Sequence, residues 1–274
     1  MTAVLRRKYV DLTDPRMNAL ARFQALSEMF DAATKRHLGR RGLRQGWHCL
    51  EAGAGGGSIA FWLSKRVGST GRVVATDIDT QFLRPEKAQN LEIWRHDITR
   101  DPLPKDAFDL VHTRMMLIHL PERDQVLKRL LAALKPGGWL IAEEFDGLSL
   151  LPNPTISPGE LMLKTYQAMQ RLNKDRRVDG RYGRLLLGRF RALRLKEIAA
   201  EGRIFMVQKG SAAARLLRAS YELRRTAMLQ AGYLTERQFD RDIESMENSQ
   251  FMMPSPILWT AAGRKGCCET CDDL

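Results

Sequence analysis

One glycine-rich run constrains the fold of this chain more than any other feature: Glu51-Ala52-Gly53-Ala54-Gly55-Gly56-Gly57-Ser58. A short apolar segment over 47–52 leads into it, and 59–67 has helical spacing. Glycine permits a tight turn and lets a ligand approach the backbone closely. The N-terminus of the following helix offers unpaired N–H groups and a positive dipole end. The run therefore predicts a strand, a turn and a helix that together bind an anionic group.

Strand and helix patterns alternate along the first half of the chain. Apolar runs predict strands over 47–52, 72–76, 91–95, 108–112 and 139–143, and helical periodicity covers 12–38, 59–67 and 122–134. Alternating strands and helices indicate a parallel sheet covered on both faces, hence an α/β fold. Further helices are predicted over 159–174, 181–195, 211–231 and 235–247, with strand-like segments over 196–207 and 256–263.

Length and hydropathy limit the class of protein. A chain of 274 residues buries enough surface to fold without disulfides. No window approaches the roughly 18 apolar residues of a membrane span, and no apolar stretch follows the basic residues of Met1–Val10. These features favour a soluble, cytoplasmic protein.

The glycine run fits two cofactor patterns. The frame Gly55-x-Gly57-x-x-Ala60, with Asp77 20 residues after Gly57, satisfies the dinucleotide fingerprint. The second pattern is Glu51-x-Gly53-x-Gly55-x-Gly57, with the acid at the strand end itself. This second pattern resembles the first motif of class I S-adenosylmethionine (SAM)-dependent methyltransferases.

Four later segments carry the same resemblance in order: Val73–Asp79, His96–Ile98, Phe108–Arg114 and Leu134–Leu140. The acids at 51, 77, 97 and 109 are separated by 26, 20 and 12 residues. A dinucleotide match accounts only for the first two, so SAM is the predicted cofactor. The resemblance implies a Rossmann-like, mostly parallel seven-stranded sheet with the last strand antiparallel, plus helical cap insertions.

A wider resemblance links the whole chain to bacterial small-molecule methyltransferases of the natural-product type. Its carriers are Met116–Arg123, Glu143–Asp146, Asp179–Arg184 and Ala200–Gly202. We therefore predict one overall domain in four parts. These are an N-terminal helical lid (1–44), the SAM-binding core (45–150), the remaining strands with substrate-side helices (151–265) and a flexible tail (266–274).

The resemblance implies ten cofactor-binding residues: Glu51, Gly53, Gly55, Ser58, Asp77, Ile78, Asp97, Ile98, Thr113 and Arg114. The acid at 77 would hold the ribose diol, and the acid at 97 the adenine amine. The isoleucines at 78 and 98 are candidates to lie against the adenine ring. The acid at 51 would take the methionyl ammonium, directly or through water.

Alternatives remain for three of these side chains. Either Thr113 or Arg114, just past the fourth strand, would hold the methionyl carboxylate, although a surface ion pair also accounts for Arg114. Ser58 would bond the carboxylate or simply cap the helix.

The acceptor side is less defined. His119 is the candidate general base, with a structural role at the start of a helix as the alternative. Glu144 and Asp146 would also face the acceptor, and with Glu143 they keep metal-dependent O-methylation open, although no clustered ligand set predicts a metal. Pocket candidates, which equally fit an ordinary core, are Tyr9, Phe23, Phe30, Met162, Tyr166 and Met169. The N-terminal helix would cover SAM or pack against a second copy.

The excess positive charge is local. The chain carries +12, but residues 151–231 alone hold 17 basic and 6 acidic residues, a net +11. This stretch favours an acidic substrate or a solvated helical face, and it is the main support for a nucleic-acid methyltransferase. Against that alternative, the fourth strand reads Asp109-Leu110-Val111-His112 and lacks the Asn/Asp-Pro-Pro-aromatic motif of base-amine methylation. A SAM-binding fold used for another reaction is the third hypothesis.

The four cysteines divide into two groups. Cys49 lies in an apolar run and is predicted to be core, whereas Cys267, Cys268 and Cys271 crowd the last eight residues. A short acidic tail of this kind favours a frayed terminus, with a redox or metal role as the alternative.

Overall fold

The computed structural model describes residues 15–83, 88–149 and 163–267. Its helices are α1 (Pro15–Gly39), α2 (Ser58–Val67), α3 (Arg123–Ala133), α4 (Leu163–Asp175), α5 (Tyr182–Ala192), α6 (Ala212–Glu222), α7 (Arg225–Gln230) and α8 (Glu236–Ser245). Its strands are β1 (His48–Ala52), β2 (Arg72–Asp77), β3 (Leu91–Arg95), β4 (Phe108–Arg114), β5 (Leu134–Asp146), β6 (Lys196–Arg203), β7 (Met206–Gln208), β8 (Met252–Pro254) and β9 (Ile257–Arg264).

The chain divides into two compact units. Within the described residues, the sheet unit comprises 31–149, 177–203 and 256–267, and the helical unit comprises 15–30, 163–176 and 204–255. The seven-stranded sheet and the glycine-rich run belong to the sheet unit. The helical unit holds α4, α6, α7, α8 and the small β7–β8 sheet.

The seven strands have the order β3-β2-β1-β4-β5-β9-β6. β1 to β5 pair in parallel, whereas β9 pairs antiparallel with both β5 and β6. The Rossmann-like, mostly parallel sheet with an antiparallel last strand is therefore confirmed. Strand order reverses between β1 and β4, and ligands of open α/β sheets bind beyond the carboxyl ends of strands at such a point.

Both faces of the sheet are covered, as expected for a parallel sheet. Leu50, Val74, Val111 and Leu140 share one buried cluster, to which α3 and α5 contribute apolar residues. Their strand neighbours Cys49, Val73, Leu110 and Ile141 belong to the opposite cluster, which includes residues of α2. Successive strand residues point to opposite faces, so near-continuous apolar runs are needed to fill both layers.

Some predicted boundaries were wrong. β4 runs to Arg114, so Thr113 and Arg114 lie within the strand and not just past it. β5 begins at Leu134, which pairs with Phe108 before the register shifts. Pro136–Gly138, predicted as a turn before the strand, instead forms an irregular part of β5 at that register shift. Proline cannot donate a hydrogen bond to the neighbouring strand, and Gly137 has φ +77°.

Two further differences lie in the helical unit. The short strand β8 was not predicted, and the single helix expected over 211–231 is divided into α6 and α7 at Leu223 and Arg224. Within the described ranges, no helix combines the length and the apolar character that crossing a membrane requires.

Several predictions fall at the edges of the described ranges. Tyr9, Met162, Cys268 and Cys271 lie outside them. Cys49 is fully buried, as predicted, and its burial raises the pKa of the thiol, whereas Cys267 is exposed. Of the proposed pocket residues, Phe30 and Met169 are buried, and Phe23 and Tyr166 are partly buried.

Helix α5 packs closely against the sheet at one glycine, which supplies a test of the packing. A Cβ atom on Gly183 would lie 2.4 Å from the carbonyl oxygen of Glu144, a backbone atom that cannot move freely. We expect Gly183→Ala to lower the free energy of unfolding by roughly 1–3 kcal/mol in urea titrations.

Gly188 in the same helix is the matched control, because nothing lies within 4 Å of its added Cβ. Gly188→Ala should raise the free energy of unfolding by about 0.5–1 kcal/mol through helix propensity. Equal effects of the two substitutions would contradict this packing of α5.

Candidate functional site

The glycine-rich loop connects β1 to α2 at the carboxyl edge of the sheet. Gly53, Gly55 and Gly57 have φ of +73°, +54° and +80°, a region that favours glycine. A Cβ on Gly53 would lie 2.9 Å from Sδ of Met116, and one on Gly57 would lie 2.6 Å from Cε2 of Phe61. Both conformation and space therefore require glycine at positions 53 and 57.

Asp77, the last residue of β2, anchors this loop. Its Oδ2 accepts the Gly55 N–H at 2.9 Å, and its Oδ1 accepts the Asp79 N–H at 3.0 Å. The N–H groups of Gly53 and Ala54 donate to the Thr76 carbonyl on the same strand. The predicted ribose acid thus lies directly against the glycine run, and it is partly exposed.

The predicted adenine residues follow β2 and β3. Ile78 is 66% exposed next to Asp77, whereas Ile98 is 6% exposed within the hydrophobic core. Asp97 Oδ1 accepts hydrogen bonds from the hydroxyl and the N–H of Thr99, and these bonds hold the pKa of Asp97 below its usual range. Asp77, Ile78 and Asp97 come together at the sheet edge, and their contact with a cofactor stays a prediction.

Glu51 is bonded to a histidine that was predicted only as part of the strand. Its Oε2 lies 2.6 Å from Nδ1 of His112, and both side chains are buried. Nε2 of His112 lies 3.4 Å from Oε2 of Glu143, so the imidazole lies between two carboxylates. Burial alone would lower the pKa of His112, but these carboxylates raise it to about 9. The ring is therefore an imidazolium at neutral pH.

Glu143 connects this pair to helix α1. Its carboxylate accepts hydrogen bonds from the hydroxyls of Thr34 on α1 and Thr260 on β9. Burial would raise the pKa of Glu143, but His112, Arg114 and Thr34 hold it at about 2. Glu143 is therefore a buried carboxylate with an imidazolium as its closest cation.

The side chains predicted to hold the methionyl carboxylate differ in their hydrogen-bond partners. Arg114 pairs with Asp31 at 3.0 Å and donates to Thr34 at 3.1 Å. Ser58 donates to Asp31 at 3.1 Å and does not cap α2, whose N-cap is Gly57 without a side-chain hydrogen bond. Thr113 is fully buried, and its hydroxyl has no partner within the part of the chain that the structure describes.

Glu144 organises the segment that follows β4. Its carboxylate accepts the N–H groups of Met116, Leu117 and Ile118 at 3.1, 2.7 and 3.3 Å. Burial raises the pKa of Glu144 to about 8, against the effect of these donors. Backbone groups thus engage both oxygens of Glu144, and that this residue faces the acceptor stays a prediction.

The remaining acceptor-side candidates occupy different settings. His119 is exposed and ends the short 3₁₀ helix Leu117–His119. Asp146 is buried and bonds Arg184 at 2.7 Å. Across the ranges 15–83, 88–149 and 163–267, no group of three or more His, Cys, Asp or Glu residues is placed to hold a metal ion.

Cross-strand register explains what the sequence did not reveal. Glu51 pairs with His112, Arg114 pairs with Glu143, and Glu143 pairs with Thr260. Because side chains alternate along a strand, these polar residues all lie on one face. One signal in the sequence could have indicated this cluster: three apolar strands each carry an ionisable residue near the carboxyl end.

An open groove of about 790 Å³ lies elsewhere in the sheet unit, between the end of α2 and the start of β3. None of the ten predicted cofactor residues lines it. The chemistry-bearing side chains instead gather at the carboxyl edge, so we place the candidate site there.

The fold is a Rossmann-like sheet. Its glycine-rich loop lies where the strand order reverses between β1 and β4, the place at which folds of this class bind nucleotide-type ligands. Residues 50–142 match the family model described as a methyltransferase domain. About a third of the chain is thus similar to a methyltransferase domain, in agreement with the motifs of the sequence.

Two curated relatives and one solved structure to which this chain is similar are methyltransferases by name. The ubiquinone/menaquinone biosynthesis C-methyltransferase UbiE of Pseudomonas entomophila (strain L48) is 33% identical over 135 residues, covering 46% of this chain and 49% of the relative. Methyltransferase str2 of Strobilurus tenacellus is 31% identical over 143 residues, covering 50% and 49%. This chain thus spans about half the length of the curated relatives it matches.

The solved structure is phosphoethanolamine N-methyltransferase 2 of Haemonchus contortus, in complex with phosphomonomethylethanolamine and S-adenosylhomocysteine. It superposes with a TM-score of 0.57 at 16% identity, covering 94% of this chain and 60% of that one. At this identity the likeness concerns the fold.

Proposed function

We propose that this chain transfers the methyl group of SAM to a small-molecule acceptor of the secondary-metabolite type. The observation that carries the proposal is the glycine loop held by Asp77 at the carboxyl edge of the sheet. The methyltransferase-domain match over 50–142 includes this loop, the last three residues of β1 and all of α2.

The groups present suit the parts of SAM. The N-terminus of α2 has no side-chain cap, so its first N–H groups and positive dipole end suit a carboxylate. The partly exposed Asp77 carboxylate suits a ribose diol, and the unpartnered hydroxyl of Thr113 offers one more hydrogen bond. When bound, SAM would supply a methyl group on a sulfonium, which reacts with an in-line nucleophile.

Glu51 is the proposed partner of the methionyl ammonium. One of its oxygens bonds His112, which fixes the orientation of the carboxylate and leaves the other oxygen as an acceptor. In this account His112 is a positioning residue, because it acts on the cofactor only through Glu51.

Placement of the acceptor supplies much of the rate in such a transfer. For a hydroxyl acceptor we propose His119 as the general base, which typically contributes about 10²–10⁴-fold. We expect His119→Ala to lower kcat at least ~100-fold while the affinity for S-adenosylhomocysteine stays unchanged. An unchanged kcat would assign His119 to a structural role before α3.

The acceptor atom is the finer part of the proposal. The name of the UbiE relative refers to C-methylation, which makes an electron-rich carbon a reasonable first acceptor to test beside oxygen and nitrogen. A carbon acceptor needs a base only to remove a proton after transfer.

The nucleic-acid alternative gains little from the basic stretch. Among the described residues, seven of its arginines form ion pairs within their own units: Arg181, Arg184, Arg189, Arg203, Arg215, Arg218 and Arg225. Charge compensated in this way contributes less to binding phosphates. We therefore keep the small molecule as the proposed acceptor.

The experiment that tests this choice uses SAM with a labelled methyl group. The protein is incubated with a metabolite fraction and, separately, with total RNA and DNA. We expect label in low-molecular-mass products only. Label in nucleic acid would overturn the proposed acceptor class, and tight cofactor binding without transfer to any fraction would favour a repurposed fold.

A further inference from the structure

Two arginines of the helical unit converge on one residue of α6. Nε of Arg22, from α1, donates to the hydroxyl of Ser220 at 3.4 Å. Nη1 of Arg224, which follows α6, donates to the Ser220 carbonyl at 3.2 Å. The two guanidinium groups therefore contact the same serine, although 202 positions separate the arginines in the sequence.

Neither arginine makes an ion pair with any residue in the described ranges. The neighbouring arginines of the same unit do: Arg215 pairs with Glu28, Arg218 with Glu247, and Arg225 with Glu236 and Asp240. Arg22 and Arg224 are partly buried, so water replaces a counter-ion less well there than at an exposed site.

Repulsion between like charges acts on this pair. Burial, together with repulsion from Arg22 and Arg176, lowers the pKa of Arg224 to about 10. The guanidinium groups of Arg22 and Arg224 thus converge on Ser220 without a compensating carboxylate from the part of the chain that the structure describes.

We propose that Arg22 and Arg224 form a binding site for an oxyanion, the phosphate or carboxylate group of a small ligand. Guanidinium groups present paired N–H donors that match the oxygens of phosphate and carboxylate. A bound oxyanion would supply the missing negative charge and the acceptors for the donors not used on Ser220.

This site gives a specific role to part of the basic stretch over 151–231. Arg224 belongs to that stretch, and the proposed cofactor site does not use it. Arg22 and Arg224 both lie in the helical unit, whereas the cofactor residues lie in the sheet unit. The inference therefore does not rest on the proposed methyl transfer.

Calorimetric titration of the full chain in chloride buffer of constant ionic strength tests the site. The probes are inorganic phosphate, phenyl phosphate and benzoate, which distinguish a free phosphate, an organic phosphate and a carboxylate. We expect saturable binding of at least one probe with one site per chain. Absence of saturable binding for all three would overturn the proposal.

Matched variants locate the binding. Arg224→Gln and Arg22→Gln should each lower the affinity for the probe that binds by at least ~10-fold, since a hydrogen bond to a charged group contributes about 1.5–3 kcal/mol. Arg225→Gln is the control, because Arg225 already pairs with Glu236 and Asp240, and its affinity should equal that of the native chain. Equal affinity in all three variants would place the anion elsewhere.

A melting experiment separates ligand binding from a purely structural role. Without the probe, Arg224→Gln should raise the melting temperature, because it removes one of two mutually repelling charges. Addition of the probe should raise the melting temperature of the native chain but not that of the variant. A lower melting temperature for the variant without probe would show that Arg224 is structural and contradict the site.

Discussion

His112→Leu is expected to lower the free energy of unfolding by about 3–5 kcal/mol. The substitution removes the imidazolium between Glu51 and Glu143 and leaves two buried carboxylates without their shared partner. Breaking a buried pair costs this much because the remaining charge is neither solvated nor compensated. Urea titration at pH 7 measures the change.

The control for this prediction removes the charges together. We call Glu51, His112 and Glu143 the triad. In the triple variant His112→Leu, Glu51→Gln and Glu143→Gln, none of these three positions carries an ionised group. We expect it to recover more than half of the lost stability, a non-additive result typical of residues in contact. Strict additivity of the three substitutions would show that the triad is not coupled.

The pH dependence of stability gives a second test of His112. Its pKa in the folded chain, about 9, lies above the unfolded value of about 6.5. Its stabilisation is therefore complete below pH ~6.5 and is lost as the pH rises through the folded value. Glu144 has a folded pKa of about 8, above the unfolded value of about 4.5, so its contribution to stability is lost as the pH rises from ~4.5 to ~8. From pH ~8 to ~9.5, stability is lost through His112 and also through Cys49, because burial raises the pKa of the Cys49 thiol above its unfolded value.

In that interval the native chain should lose stability more steeply with rising pH than His112→Leu, because the variant lacks the contribution of His112. Unfolding titrations at half-unit steps measure both slopes. Parallel slopes in the two proteins would contradict an imidazolium at position 112.

Asp77→Ala is expected to weaken S-adenosylhomocysteine binding by roughly 10- to 100-fold. The carboxylate is the proposed acceptor for the ribose hydroxyls, and a hydrogen bond to a charged group is worth about 1.5–3 kcal/mol. It also holds the Gly55 N–H, so its loss frees the glycine loop. Isothermal titration calorimetry measures the affinity directly.

Two controls separate the ribose contact from the loop anchor. Asp77→Asn keeps an acceptor for Gly55 but removes the charge, so it should retain the fold and lose most of the affinity. Asp124→Ala removes an exposed acid of α3 that pairs with Arg189, and its affinity should match the native chain. Unchanged affinity in Asp77→Ala would remove the ribose assignment.

Local signals were sufficient to predict the sheet. The apolar runs ending at Ala52 and Asp77 and the glycines after Ala52 fix strand, turn and helix within a few residues, and each was found where periodicity placed it. The end of β4 was missed, because Thr113 and Arg114 continue a strand whose polar residues pair with partners on other elements.

The polar network of the site could not be predicted in the same way. Whether Glu51 contacts His112 depends on the register between β1 and β4, which are separated by more than 50 residues. The engagement of Arg114 and Ser58 by Asp31 depends on where α1 packs. Such contacts form only in the folded sheet unit, so they cannot be predicted from composition or from residue spacing along the chain.

Titration of the native chain with S-adenosylhomocysteine and, separately, with NAD⁺ tests the central claim most directly, because the glycine run fits both cofactor patterns. We predict saturable heat with one S-adenosylhomocysteine per chain and none with NAD⁺. Binding of NAD⁺ without binding of S-adenosylhomocysteine would contradict the assignment of the glycine loop and Asp77 to SAM.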